Sequence, residues 1–359
     1  MIKTDNLSYE EYKIYARQII LENVGVYGQN KLKKTKILFI GAGGLGCPAI
    51  TYLALSGVGC LGIVDHDTVS KSNLHRQTLH NLDNINELKV ISAQQKIKII
   101  NPNIKVNIYP YKLTNKNARQ LINKYDLILD SCDNFFTRYL IDELCYKLHK
   151  VHIYGAIQNF EGHISVFNYK GGPKYSDIYP KYLNLEENDC SSVGVIGIVP
   201  GIIGILQATE AVKIILGIGQ IMSGYILKYN SLNISLKKMK IRPRKTNNQA
   251  ANNTLLINNQ QTITKDDLKK SIEKKTHWSI IDVRQKAEFN NSHILNACNI
   301  PLKDLKIRKN INLINKLANK TKIVIYCSKN SRSIIASQVL NRYNICHYRL
   351  QDGLHTWRC

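Results

Sequence analysis

The stretch Lys36-Ile-Leu-Phe-Ile-Gly-Ala-Gly-Gly-Leu-Gly-Cys47 decides the fold. Its apolar run reads as a buried strand, and the glycines at 41, 43 and 46 follow GxGxxG spacing at the entry to a helix. The first glycine suits a tight turn, the second close approach of backbone to a phosphate, the third packing of helix on sheet. A helix that starts there turns unpaired N–H groups and the positive end of its dipole toward an anion. The next strand, Leu61-Gly-Ile-Val-Asp65, ends on an acid about twenty residues further on, where a carboxylate holds ribose hydroxyls. Chance glycines in a turn are the bland alternative. The strand before them and Asp65 after them argue for a nucleotide site instead.

The alternation continues on both sides of the turn. Hydrophobic patterning predicts strands over residues 36–40, 61–65, 106–109 and 127–130, with helices over 48–56, 88–100, 116–124 and 135–148. Such a pattern predicts an α/β, Rossmann-like parallel sheet covered on both faces, which later strands at 151–157 and 163–168 extend. An apolar stretch over 193–206 contains Pro200 and gives way to Gln207, Glu210 and Lys213. It falls short of the roughly 20 residues a bilayer needs and is read as a buried strand or loop entering an interior helix, so no membrane partner is expected. A length of 359 residues suggests two domains. Residues 1–10 lack the apolar core of a signal peptide, so the protein is expected to stay where it is made.

Charge distinguishes the nucleotide. Arg76 and Lys89 follow the glycine turn, and Asp126-Leu-Ile-Leu-Asp-Ser-Cys-Asp-Asn134 brings Asp133 and Asn134 to the same carboxyl edge of the sheet. Hydride transfer has little use for this set. Splitting a triphosphate needs cations to offset charge on the phosphates and a carboxylate to hold Mg²⁺, so ATP with Mg²⁺ is the expected pair. Taken singly, Lys89 reads equally well as a solvated helix lysine and Asp133 as a helix N-cap before Phe135. An NAD-dependent oxidoreductase is the alternative from another class.

Residues from about 8 to 240 resemble the ThiF/MoeB family of ubiquitin-activating-enzyme-like adenylyltransferases. The likeness is carried by Ala16-Arg-Gln-Ile-Ile20, Gly41-Ala-Gly-Gly-Leu-Gly46, Asp65-His-Asp-Thr-Val69, Ser72-Asn-Leu-His-Arg-Gln-Thr-Leu-His80 and Cys132-Asp-Asn134. The resemblance implies adenylation of the C-terminal glycine of a small ubiquitin-fold sulfur carrier ending in Gly-Gly. It also implies that Gly44, Asp65, Ser72, Asn73, Leu74, His75, Arg76, Lys89, Asp133 and Asn134 line the ATP site, with Arg76 and Asp133 catalytic. Arg17 is implied to reach that site from the other subunit of a homodimer; a plain surface arginine is its bland reading. Many relatives hold a structural zinc in two CxxC pairs. The matching segments, Lys174-Tyr-Ser-Asp177 and Arg242-Pro-Arg-Lys-Thr246, contain no cysteine, so no zinc is expected.

From about Lys237 to Gln261 the chain turns basic and then Asn-rich, a composition that reads as a linker. The domains are accordingly set at 1–240, a linker at 241–261, and a second unit at 262–359. In that unit Lys322-Ile-Val-Ile-Tyr-Cys327 is a short strand ending on a cysteine, followed by the loop Ser-Lys-Asn-Ser-Arg332 and a helix over 333–340. Loop N–H groups, a helix N-terminus and the Arg332 cation would all favour a thiolate there. A strand-end cysteine without a role is the bland reading.

This second unit resembles a rhodanese domain. Ile281-Asp-Val-Arg284, Glu288-Phe289, His293-Ile-Leu-Asn-Ala-Cys-Asn-Ile-Pro301, the Cys327 loop and Leu350-Gln-Asp-Gly353 follow that family's order. The resemblance implies that Cys327 carries a persulfide, with a cysteine desulfurase as sulfur donor. Two family glycines are replaced by Asn296 and Asn330, and Asn tolerates left-handed backbone better than most residues. Cys190 stands where some relatives carry a reactive cysteine. Its acidic neighbours Glu186, Glu187 and Asp189 would oppose a thiolate, so a structural role competes with covalent chemistry.

Fifty Lys and Arg against 26 Asp and Glu leave a formal charge of +24. The excess is spread as lysine among abundant Asn and Ile, which resembles AT-rich coding in a plastid or reduced genome more than a nucleic-acid patch. An acidic protein partner ranks second, and no nucleic acid is expected. Nine cysteines form no CxxC pair and no even framework, which points to a reducing compartment. That compartment would be the plastid stroma if the protein is organelle-encoded, and otherwise the cytoplasm. Adenylation followed by sulfur transfer, serving molybdenum cofactor, thiamine or tRNA thiolation, is the leading reading. A stand-alone sulfurtransferase and a non-catalytic carrier-docking protein are its rivals.

Overall fold

The computed structural model describes residues 7–180, 194–241, 262–274, 276–328 and 330–357. The chain divides into two compact units. Of the described residues, one holds 7–179 and 194–241, the other Pro180, 262–274, 276–328 and 330–357.

The first unit opens with α1 (Tyr9–Ile19) and α2 (Gly25–Lys34), neither of them among the elements predicted from patterning. A capping box starts α1: Ser8 Oγ accepts from the Glu11 amide, and the Glu11 carboxylate accepts from the Ser8 amide. The alternating order follows, with β1 (Lys36–Ile40), α3 (Gly46–Leu55), β2 (Cys60–Val64), α4 (Lys89–Ile100), β3 (Lys105–Tyr109), α5 (Ala118–Asn123), β4 (Leu127–Asp130) and α6 (Phe135–Lys147). Next come β5 (Val151–Gln158), β6 (Glu161–Phe167), α7 (Tyr175–Ile178), α8 (Ile198–Leu216), β7 (Tyr225–Asn230) and β8 (Ser235–Lys240). The strands form one sheet in the order β3-β2-β1-β4-β5-β6-β7-β8. Pairing is parallel from β3 to β5 and antiparallel beyond it.

Strand alternation sorts β1 onto two cores. Ile37 and Phe39 join Leu32, Ile50, Leu53 and Ala208 on one face, while Leu38 and Ile40 join Leu121, Ile128 and Ile141 on the other. Because β2 and β4 lie on opposite sides of β1, the direction of winding reverses there. A crevice therefore opens at the carboxyl ends of β1 and β4.

The apolar stretch near residue 200 becomes α8, which runs to a left-handed cap at Gly217. At 19 residues it is long and apolar enough to cross a bilayer. It is nevertheless a core helix of this unit: Val199, Ile203, Gln207, Ala208 and Ala211 are buried, and Gln207 Nε2 donates to the Asp130 carbonyl at 2.8 Å. Lys237 to Lys240, the start of the stretch read as linker, pairs with β7 as part of an edge strand whose side chains are all exposed. An edge strand is held by backbone hydrogen bonds, and its composition need not bury a core.

The second unit contains β9 (Thr262–Ile263), α9 (Lys265–Glu273), β10 (Trp278–Asp282), α10 (Lys286–Asn291), β11 (Cys298–Asn299), α11 (Arg308–Ala318), β12 (Lys322–Tyr326), α12 (Ser331–Arg342), β13 (Tyr348–Leu350) and α13 (Gly353–Trp357). Its sheet, in the order β11-β10-β12-β13-β9, is parallel throughout. Asn296 does adopt a left-handed backbone, at φ 63°. Asn330 does not: at φ −130° it precedes α12, and its side chain pairs with Asp352 at 3.0 Å.

Candidate functional site

A cavity of about 540 Å³ occupies the crevice. The glycine turn forms its floor. Gly41 has φ +105°, and a Cβ at Gly46 would lie 2.2 Å from the Gly41 carbonyl oxygen, so the first and last glycines are required by backbone conformation and by contact. The Asp65 carboxylate accepts from the amides of Ala42 (2.8 Å) and Asp67 (2.9 Å), which ties the end of β2 to this turn.

Gly44, Asp65, Asn73, Arg76, Lys89, Asp133 and Asn134 all line this cavity. Lys89 is not a solvated helix lysine. It is buried at the start of α4, and its Nζ donates to Asp67 Oδ2 at 2.7 Å. Burial alone would raise the Asp67 carboxyl, but the hydrogen bond and charge of Lys89 hold it below the ordinary carboxylate range. Arg76 bonds only neutral acceptors among the described residues: the Ser72 carbonyl, the His75 ring at 2.7 Å and Asn73 Oδ1 at 2.9 Å. Among the described residues its cationic charge therefore has no carboxylate to offset it.

Asp133 is exposed at the cavity wall and makes no hydrogen bond among the described residues. The N-cap of α6 is Asn134, whose Oδ1 accepts from the Thr137 amide at 2.8 Å. Its position one residue closer to the helix makes Asn134 the cap and leaves the Asp133 carboxylate without a partner among the described residues.

Four residues implied by resemblance, Ser72, Leu74, His75 and Arg17, do not line the cavity. The Ser72 carbonyl and the His75 ring act on Arg76, fixing its guanidinium from the side, and Leu74 is a half-buried member of the same turn. Arg17 is exposed on α1 and does not line its own chain's cavity. Cys190 lies outside the described residues.

Beneath Asp133 lies a buried polar layer that patterning missed. Asp130 and His152 are both fully buried, and His152 Nε2 donates to Asp130 Oδ2 at 3.1 Å. The other carboxylate oxygen accepts from the Cys132 amide (3.1 Å) and thiol (2.8 Å). Burial would raise the Asp130 carboxyl, yet the His152 hydrogen bond and the Arg138 cation hold it low. Burial combined with the Asp130 charge pushes the Cys132 thiol far up. Arg138, buried on α6, donates to the Cys132 carbonyl at 2.8 Å and stacks on the Tyr154 ring. In the sequence Asp130 reads as a strand end and Arg138 as an ordinary helix arginine; their common signal is proximity to Cys132-Asp-Asn134.

In the second unit Cys327 follows β12 and is buried, its Sγ 3.7 Å from Ser333 Oγ. Arg332 is committed elsewhere. Its two terminal nitrogens donate to Glu288 at 2.5 and 2.8 Å, and one also to Ser328 Oγ. The Arg332 hydrogen bonds pull Glu288 down to about 2. The cation expected beside the thiol is thus already shared with a carboxylate.

Comparison with known proteins gives a family for each part of the chain. Residues 15–250 match the ThiF family and residues 264–358 the rhodanese-like domain. The chain is 50% identical to a probable molybdopterin-synthase adenylyltransferase of Gracilaria tenuistipitata var. liui, covering 97% of this chain and 98% of that protein. It is 34% identical to the adenylyltransferase and sulfurtransferase MOCS3 of Drosophila sechellia, over 98% of this chain and 84% of that one. A solved structure of E. coli MccB shares the fold, with a TM-score of 0.57 and 18% identity over 67% of this chain and 74% of that one. The chain belongs to the ThiF family and carries a C-terminal rhodanese-like domain.

Proposed function

We propose that the chain uses ATP to adenylate the C-terminal glycine of a ubiquitin-fold sulfur carrier, and then transfers sulfur from a Cys327 persulfide to give the carrier thiocarboxylate, in molybdenum cofactor biosynthesis. The observation that supports this most is that Arg76, Lys89 and Asp133 line one cavity beside the glycine turn.

The carrier carboxylate attacks the α-phosphorus, pyrophosphate leaves, and an acyl-adenylate forms. Arg76, which meets no carboxylate among the described residues, and Lys89 offset the charge that builds on the phosphates. A magnesium ion would hold the triphosphate and neutralise part of its charge. Asp133 fits that ion: among the described residues its carboxylate has no partner, whereas the oxygens of Asp65 are taken by two amides and Asp67 is taken by Lys89. The Asp130–His152 pair fixes the turn that presents Asp133.

In the second half the terminal persulfide sulfur on Cys327 attacks the activated carbonyl, and AMP leaves. A second thiol, for which Cys190 is the candidate, then attacks the Cys327 sulfur, forms a disulfide with it and frees the thiocarboxylate. Once an external thiol reductant has reopened that disulfide, a cysteine desulfurase would charge the free Cys327 thiol afresh. We further propose a homodimer in which Arg17 completes the partner's site. Exposed Tyr9, Ile14, Ile20, Leu21 and Tyr27 on and around the first two helices support such an interface. The described cysteines are all free thiols, in keeping with a reducing compartment, the plastid stroma or otherwise the cytoplasm.

Carrier-dependent exchange of labelled pyrophosphate into ATP tests the first step against carriers of the molybdopterin, thiamine and tRNA-thiolation routes. Exchange should vanish in Arg76→Ala and Asp133→Ala. Exchange that needs no carrier, or that survives both substitutions, would overturn the assignment. Cys327→Ser should retain exchange and lose thiocarboxylate; thiocarboxylate formed at the usual rate would remove Cys327 from the reaction.

A further inference from the structure

Arg332 cannot serve Cys327 alone, because Glu288 holds both of its terminal nitrogens. A second guanidinium lies on the same side of the sheet. Strand β13 runs parallel to β12 with Arg349 opposite Ile325. Cys327 follows Ile325 by two residues and so projects to the same face. Ile325 and Cys327 share a core with Ala336, Val339 and Leu340 beneath α12. Arg349 is therefore directed into a layer that is mostly apolar.

The layer contains a narrow polar seam. Ser333 and Ser337, one turn apart on α12, are fully buried; Ser333 Oγ faces the Cys327 sulfur, and Ser337 Oγ lies 2.5 Å from His347 Nε2. Within it the Arg349 Nε–H is buried without a hydrogen-bond partner, and no ion pair holds its guanidinium among the described residues. Arg349 as a whole is half-buried, and a cation whose Nε–H is cut off from both water and acceptors is costly unless an anion meets it. The other charged groups around the seam are engaged. Asp282 pairs with Arg284 at 2.6 Å, Glu288 with Arg332, and Asp352 with Asn330, while His347 is held between Ser337 and the Ile345 carbonyl.

We propose that Arg349, on β13, is the counter-cation of the Cys327 sulfur and holds it as an anion, a positioning role that rests on the reading of Cys327 as the sulfur-carrying thiol. No bond is made or broken by Arg349; the thiol proton leaves to solvent, and the anion that remains gives the guanidinium its partner. Consistent with this, burial lowers Arg349 below the usual arginine range while Cys327 acts in the opposite direction. The Arg332–Glu288 pair then has a separate task, bracing α10 against the start of α12.

The test is the pH dependence of iodoacetamide alkylation at Cys327 in the full chain, read by peptide mass mapping, with exposed Cys298 and Cys346 as internal controls. In Arg349→Met the alkylation midpoint at Cys327 should rise by roughly one pH unit, the lower end of what a lost neighbouring charge does. The two control cysteines should not move. Arg349→Lys, which keeps the charge, should restore most of the shift even where Arg349→Met is less stable, and protease resistance of the second unit reports its folding. An unmoved midpoint in Arg349→Met, or Arg349→Lys behaving like Arg349→Met, overturns the proposal. Pyrophosphate exchange measured on the same variants should be unchanged, so failure here is separable from failure of the adenylation reading.

Discussion

Replacing His152 with Phe tests how the adenylation site is supported from below. The ring volume is kept, so packing against Phe167 and Tyr175, with centroids at 5.5 and 6.4 Å, largely survives. What is lost is the 3.1 Å hydrogen bond to Asp130, a carboxylate with no exposed surface. Asp130 keeps the Cys132 hydrogen bonds and the Arg138 cation, so losing this one bond to a buried carboxylate oxygen should destabilise the first unit by about 1–3 kcal/mol at neutral pH. The pH dependence has a definite sign. In the native protein the Asp130 carboxyl lies below its ordinary value of 3.8, so its contribution is fully present above that value and is lost as pH falls through the lower folded value. Without His152 the carboxyl must rise, and the penalty should fade as acid protonates it. Asp130→Asn in the His152→Phe background should recover part of the loss, because a neutral amide needs no counter-charge. Urea unfolding of the first unit, followed by tyrosine near-ultraviolet dichroism, measures this. Both tryptophans, Trp278 and Trp357, lie in the second unit, so fluorescence reports that unit separately. A loss below about 1 kcal/mol, or one that stays constant from pH 7 to pH 4, would refute the reasoning.

Gly46→Ala places a Cβ 2.2 Å from the Gly41 oxygen and should cost about 1–3 kcal/mol along with nucleotide binding; an unchanged melting curve would contradict the contact. Lys89→Met should reduce pyrophosphate exchange at least about 100-fold. Stability should change by no more than about 1 kcal/mol, because Asp67 is half exposed and water can replace the lysine, and normal exchange would remove Lys89 from the mechanism. Glu288, drawn down to about 2 by Arg332, stabilises the second unit above its ordinary value of 4.5, and that contribution disappears as pH falls toward 2. With the carboxylate 37% exposed, solvent screening limits the effect to under about 1 kcal/mol. Tryptophan-monitored melts at pH 5 and pH 2.5 should show it in the native chain and not in Glu288→Gln.

Local patterning was enough for the parallel strands because each is a short apolar run bounded by its own turn residues, as in Lys36–Ile40 and Leu127–Asp130. It was not enough for β8, whose six residues are all exposed and whose strand character comes only from pairing with β7. Helix α8 began later and ran further than its apolar core suggests, since Gln207 and Glu210 are buried by partners remote in sequence.

The same division holds at the two sites. GxGxxG, Asp65, and the run from Asn73 to Arg76 act through contacts within a few residues or through one strand-to-strand step, so the kind of ligand was legible from residue order. Which side chain is free and which is occupied depends on partners brought together by folding. Asn134 rather than Asp133 caps α6, Asp67 holds Lys89 across 22 residues, and Glu288 holds Arg332 across 44. Charge is a property of a residue, but its availability is a property of the neighbours, and those are chosen only when the sheet closes.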